Sequence, residues 1–210
     1  MKYRALSLAL LVSAPFAVGA IGLSPRALFE GPPSAEASVA VLISLEDLVA
    51  VSTYVVVATA SEQRSAWEAT PSGRRIVTYT RLGVDRSVAG PAEKELWVRT
   101  LGGVVEKVGQ AVSGEAQLAK GARSLLFLTR TNVGLVVTAR AQGHYPIIEP
   151  DMTLKPTSDA TSPRLRGSPD AGALLPRRGP TISAREHLVG LTLDQAVSLV
   201  LAAQKATHAK

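Results

Sequence analysis

The chain has 210 residues, a formal charge of +6 and no cysteine. The missing thiols exclude a disulfide-stapled fold, a thiolate zinc site and a lipoprotein, whose signal ends at a lipid-bearing cysteine, so stability rests on the core alone. The positive residues do not form a run: Arg164, Arg166, Arg177, Arg178 and Arg185 are interspersed with Asp170 and Glu186. A scattered basic balance argues against a nucleic-acid or anionic-lipid surface.

Taken in chain order, the first element is an export signal. Lys2 and Arg4 make a positive start, Ala5 to Val18 is apolar apart from Ser7, Ser13 and Pro15, and Val18-Gly19-Ala20 offers small residues for cleavage. This predicts a signal peptide over residues 1–20. A second small-residue site, Ala35-Glu36-Ala37, lies further from the apolar stretch. The alternative is an uncleaved anchor; spanning a bilayer takes about 20 apolar residues, and Pro15 and the short run count against it. Residues 21–43, with Pro25, Pro32 and Pro33 among small and polar neighbours, read as a flexible leader.

A short helix is predicted at Ser44 to Val49. Ser44 is placed to cap it with Asp47 reaching back, and Leu45, Leu48 and Val49 share one face. Five strands follow: Tyr54 to Thr59, Ile76 to Val84, Leu96 to Leu101, Ser124 to Leu128 and Leu135 to Ala139, separated by glycine and proline signals. Val55-Val56-Val57 reads as buried on both faces. The second strand alternates, with Arg81 and Asp85 at solvent. Gly102-Gly103 allows a tight bend into Val104-Val105, and Glu106 to Lys120 reads as a long loop holding at most a short strand. Ala141 to Ile148 is expected to extend the sheet edge. Residues 44–149 are thus one domain, mainly β: a small five-stranded barrel with a short N-terminal helix and a C-terminal helix.

Beyond it, residues 150–182 carry Pro150, Pro156, Pro163, Pro169, Pro176 and Pro180. Such a segment is either a disordered linker or an extended strap wrapping the barrel. Residues 183–210 hold the C-terminal helix: Thr192 caps it, Gln195 completes the box, and Leu193, Ala196, Val197, Val200 and Leu201 line one side.

No catalytic constellation appears. His187 follows Glu186 without the second histidine of a helical zinc-protease motif, and His208 sits near the end. There is no Gly-x-Ser-x-Gly elbow. The stretch Gly109 to Glu115 has glutamate where a phosphate loop needs lysine. Glu46-Asp47 and the Glu93/Glu95 pair read as solvated faces. His144, in Gln142-Gly143-His144-Tyr145-Pro146, is read first as a hydrogen-bonded turn residue; with Tyr145 and Trp97 it makes up the candidate surface site. Trp67 and Trp97 could stack a ligand, although a strand tryptophan usually covers a core end. No catalytic residue, cofactor, metal ligand or zinc is expected, nor hydrolytic activity.

The order of a short helix, Ser52-Thr53-Tyr54-Val55-Val56-Val57-Ala58, then Ile76 to Val84, then Lys120-Gly121-Ala122-Arg123-Ser124-Leu125-Leu126-Phe127-Leu128 resembles the netrin-like module over residues 44–148. The same module forms the inhibitory domain of tissue inhibitors of metalloproteinases. The resemblance implies an OB-type five-stranded barrel, and the chain is similar in pattern to secreted bacterial proteins of that build. Those inhibitors act through an N-terminal cysteine and are knitted by disulfides; neither exists here, so no inhibitory residue carries over. The sequence therefore points to a secreted or periplasmic, monomeric, non-catalytic binding or accessory module. It would act without nucleic acid and without membrane after signal cleavage. The alternatives are a partner of a secreted or surface protease, and third an enzyme, against which the missing constellation counts.

Overall fold

The computed structural model describes residues 40–70, 73–150, 162–177 and 181–208; the predicted signal peptide and most of the predicted leader lie outside the described residues. Strand-forming residues pair into two long partners, β2 (Tyr54–Thr70) and β3 (Gly73–Ala89), which run antiparallel from Val55 opposite Ala89 to Thr70 opposite Gly73. Next come β4 (Glu95–Leu101), the hairpin β5 (Gly103–Val105) and β6 (Val108–Gln110), then β7 (Arg123–Thr131) and β8 (Gly134–Val137). β2 pairs with β3, β3 with β4, β4 in parallel with β8, β8 with β7, and β7 with β2. That closed ring of five strands is the predicted barrel, with the Greek-key connectivity of an OB-type fold.

Two corrections concern length. The first two strands run far past Thr59 and back before Ile76, because backbone pairing continues through Ser61 to Thr70 where the side chains turn polar and the apolar signal stops. The fifth ends at Val137 rather than Ala139, whose φ of 51° begins a 3-10 turn at Arg140–Gly143. Ala141 to Ile148 does extend the sheet: β9 (His144–Ile148) lies antiparallel along β7.

Alternation divides the apolar side chains between two cores. Tyr54, Val56, Ala58, Leu82, Val98, Leu126 and Leu128 fill the barrel. Val55, Val57, Leu125 and Phe127 point the other way, onto α1 (Leu45–Ala50), α2 (Ala184–Leu188) and α3 (Leu193–His208). The Val55-Val56-Val57 run is buried on both faces, as its composition predicts.

Ser44 caps α1, its Oγ accepting from Asp47 N–H at 3.1 Å. The Asp47 carboxylate bonds Arg177 in the strap. Thr192 and Gln195 exchange both bonds of their box, at 3.0 and 3.3 Å. The C-terminal segment is split: Val189 to Thr192 separate α2 from α3, and α2 has its own box from Ser183 and Glu186. Leu193, Ala196, Val197 and Val200 are buried as predicted, whereas Leu201 is exposed.

The described part of the proline-rich segment lies on the barrel as an extended strap. β10 (Arg164–Leu165) pairs with β9, and Leu165 is buried among the helices. β11 (Leu174–Leu175) pairs in parallel with β1 (Ala40–Val41), which gives the end of the leader a strand. No helix of the described residues is long and apolar enough to cross a membrane.

Candidate ligand cleft

Beyond the barrel, β2 and β3 continue as a two-stranded ribbon. The register shifts between Ala60 and Glu62, so Ser61 is an extra residue on β2. A bulge of this kind switches which residues face inward. Before it Ala58 and Ala60 point into the barrel; after it Gln63, Ser65 and Trp67 occupy that same side, opposite Thr80, Thr78 and Ile76. The barrel lining thereby changes from apolar to polar along one continuous face.

The β5–β6 hairpin folds down onto this polar face, and glycine is what lets it approach. Gly103 has a φ of 131°, and a Cβ there would stand 2.2 Å from Thr78 Oγ1 and 2.7 Å from Ser65 Oγ. Gly102, with φ 92°, sits as closely against the Gln110 carbonyl. No side chain larger than hydrogen fits either position.

Between ribbon, hairpin and the loop after β6 lies an open cleft of about 640 Å³. That is within the usual range for small-molecule sites, roughly 300–1,000 Å³. Its polar lining comes from Gln63, Ser65, Thr78, Thr100, Gln110, Glu115 and Gln117. Thr78 Oγ1 donates to the Gly102 carbonyl at 2.7 Å and accepts from Ser65 Oγ at 2.9 Å. Thr100 donates to the Thr78 carbonyl, and Gln110 Oε1 accepts from Ile76 N–H at 2.7 Å. Gln63 donates through Nε2 to Thr80 and to the Leu118 carbonyl. Among the described residues Gln63 Oε1 and Gln110 Nε2 have no partner, and neither is a buried orphan, so both meet the cleft's solvent.

Among the described residues Glu115 is the one charged residue lining this space. Its side chain is only 9% exposed, with Arg140 Nε 3.7 Å from Oε2, too far for a hydrogen bond. Burial pushes its carboxyl pKa up, while the Leu101 N–H and the charges of Arg140 and Arg99 pull the other way.

The three residues of the candidate surface site are not brought together, and two of them are not at the surface. His144 and Tyr145 are buried. His144 sits in strand β9 rather than a turn, held between Ser124 Oγ, 3.1 Å from Nε2, and Ser168 Oγ, 3.3 Å from Nδ1. Tyr145 packs edge-on against Phe127, with ring centroids 6.0 Å apart, and burial raises its phenol pKa. Trp97 lies half-exposed on the outer face beneath the Arg64 guanidinium, 5.4 Å from the ring centroid.

Neither tryptophan covers a core end. Trp67, 39% exposed, stands on the inner side of the ribbon opposite Ile76, whereas Trp97 faces out beside Arg81, so the two form no common stacking surface. Among the described residues no three His, Asp or Glu side chains converge on a possible metal position.

Sequence reasoning passed over the cleft because its hairpin and loop fall in Glu106 to Lys120, where periodicity fails. The one local hint is Glu115, the only carboxylate between Val112 and Leu118, and nothing in its spacing marks it as buried. Compared with known families, curated proteins and solved structures, the chain matches none.

Proposed function

We propose that the protein is an exported, non-catalytic binding module whose ligand occupies the cleft between ribbon and hairpin. The observation that carries this reading is the cleft itself, a sizeable open space floored by hydrogen-bonding groups, two of which still have free capacity. Against catalysis stands the isolation of Glu115, since acid–base chemistry on a bound substrate needs a second positioned group. The resemblance to the netrin-like module agrees with a five-strand ring but brings no site with it. No feature of the cleft favours the protease-partner alternative, and the cysteine through which such inhibitors work is missing.

The binding role is tested by nuclear magnetic resonance. Titrating the labelled protein with an extract of the producing cells' envelope and medium is expected to shift amides of residues 63–65, 100–104 and 110–119. Shifts confined to the helix-covered face, or none, would overturn the reading. Export has its own test: sequencing the mature chain from producing cells is expected to show an N-terminus just after Ala20. Intact Met1 in the membrane pellet would refute cleavage.

A further inference from the structure

We infer that the cleft takes a neutral, polyhydroxylated ligand, a segment of glycan, an inference that rests on the cleft being the binding site. Charge comes first. Among the described residues no arginine, lysine or histidine lines the space, so no cation is placed there to pair with a phosphate or sulfate. A buried carboxylate among the lining residues repels such an anion further. A cationic ligand is no better served, because Arg140, 3.7 Å from Glu115, already acts as that carboxylate's counter-ion.

Hydrogen-bonding capacity narrows the class further. The hydroxyl protons of Ser65, Thr78 and Thr100 are committed to protein acceptors, leaving lone pairs toward the cleft. Gln63 Oε1 and the Glu115 carboxylate add acceptors, Gln110 Nε2 adds a donor, and the Gln117 side-chain amide adds both. A ligand meeting this lining must bring several hydrogen-bond donors and at least one acceptor without net charge. Each free sugar hydroxyl supplies both, and several stand side by side on one ring. A peptide backbone supplies one N–H per residue, too sparse for acceptors this close together.

The third observation is Trp67. It continues the face of Gln63 and Ser65, two residues beyond Ser65 and so about 7 Å along the strand. Arg74 lies over the ring at 5.3 Å, yet the tryptophan remains 39% exposed. Trp67 thus lies just beyond the lining residues on their face, and an exposed aromatic there offers a stacking surface to the C–H face of a sugar ring, as it would not to a small polar solute.

The test uses two probes on the full chain. One is an array of neutral oligosaccharides of hexoses and N-acetylhexosamines. The other is the envelope and medium extract, split into periodate-treated and protease-digested portions. A neutral glycan on the array is expected to bind. The cleft shifts should survive protease, and where the ligand carries vicinal diols, periodate, which cleaves them, should abolish the shifts. Trp67→Ala should weaken binding at least tenfold, while Trp97→Ala leaves it unchanged. Cleft shifts that protease abolishes would overturn the glycan class while leaving the cleft as binding site. So would a silent array or equal effects at the two tryptophans. Absence of cleft shifts with untreated extract would instead remove the binding site and the inference with it.

Discussion

Replacing Phe127 or Leu126 by alanine is expected to lower the melting temperature by on the order of 10 °C, while Arg81→Ala leaves it nearly unchanged. The two apolar residues are neighbours on β7, yet they serve different cores. Phe127 faces the helices and packs on Tyr145; Leu126 faces the barrel interior. Both are fully buried. Truncation removes transfer free energy and leaves a cavity, costing roughly 2–5 kcal/mol, against a total stability of about 5–15 kcal/mol. For a chain of this size about 1 kcal/mol moves the midpoint by roughly 2–4 °C. Arg81 differs in kind. Its side chain is half-exposed and its ion pairs to Glu62 and Glu95 are long, 3.5 and 3.6 Å. Such surface contacts contribute little, so the loss should stay within about 0.5 kcal/mol. Thermal melts of the three variants decide it, with Phe127→Leu as a milder probe should the alanine variant fail to fold. Equal losses at all three positions would mean that β7 does not divide two cores.

Why the barrel was legible and the cleft was not follows from which physical term dominates in each. Tyr54 to Thr59 and Ser124 to Leu128 are buried on both faces, and burial leaves an unbroken apolar run in any sequence that must satisfy it. The helix caps at Ser44 and Thr192 are equally local, since each bond joins residues three apart. The ribbon is different. Ser61 to Thr70 is held by backbone pairing to β3, which constrains composition weakly, and the bulge at Ser61 breaks the period of two just where the lining turns polar. The cleft is assembled from β2, β3, β4 and β6 with the loop carrying Glu115, and no local spacing records contacts between segments so far apart. Even there the sequence held partial signals. Gly102-Gly103 was read as a bend, and its deeper reason, the close approach to Ser65 and Thr78, emerges only once those strands are adjacent. His144 misled for the opposite cause: a histidine beside a turn signal looks exposed, and only the β7–β9 pairing buries it.

That burial leads to the second large effect, a loss of stability as pH falls from about 6.5 toward 4. Hydrogen bonds define the ring's state. Ser168 donates to the Asp170 carboxylate and accepts from the Asp170 N–H, each at 3.3 Å, so its remaining lone pair accepts from His144 Nδ1–H. Nε2 is thus the bare nitrogen that accepts from Ser124. Burial drives the pKa from 6.5 down to about 4, with Asp170 opposing only in part. Because the folded value lies below the unfolded one, the unfolded chain binds more protons throughout that window. Stability is therefore full above about 6.5, declines as pH falls, and levels off below about 4, for a loss of roughly 3 kcal/mol from this group. Three carboxyls overlap the range, one with the opposite sign to the other two. Glu115, raised by burial, relieves its own penalty as pH falls; Glu68, lowered chiefly by the Tyr79 hydrogen bond and further by Arg99, and Glu186, lowered by its hydrogen bonds with Ser183, lose stabilisation at the acid end. Subtracting the profile of His144→Gln from that of the unaltered protein cancels all three. The difference should slope between about pH 6.5 and 4 and be flat above. Should the variant prove too unstable, the ring proton resonances of His144 in the unaltered chain give the same answer, staying constant down to about pH 5. A ring that titrates near 6.5, or a difference profile without slope, would show that His144 is not held neutral between Ser124 and Ser168.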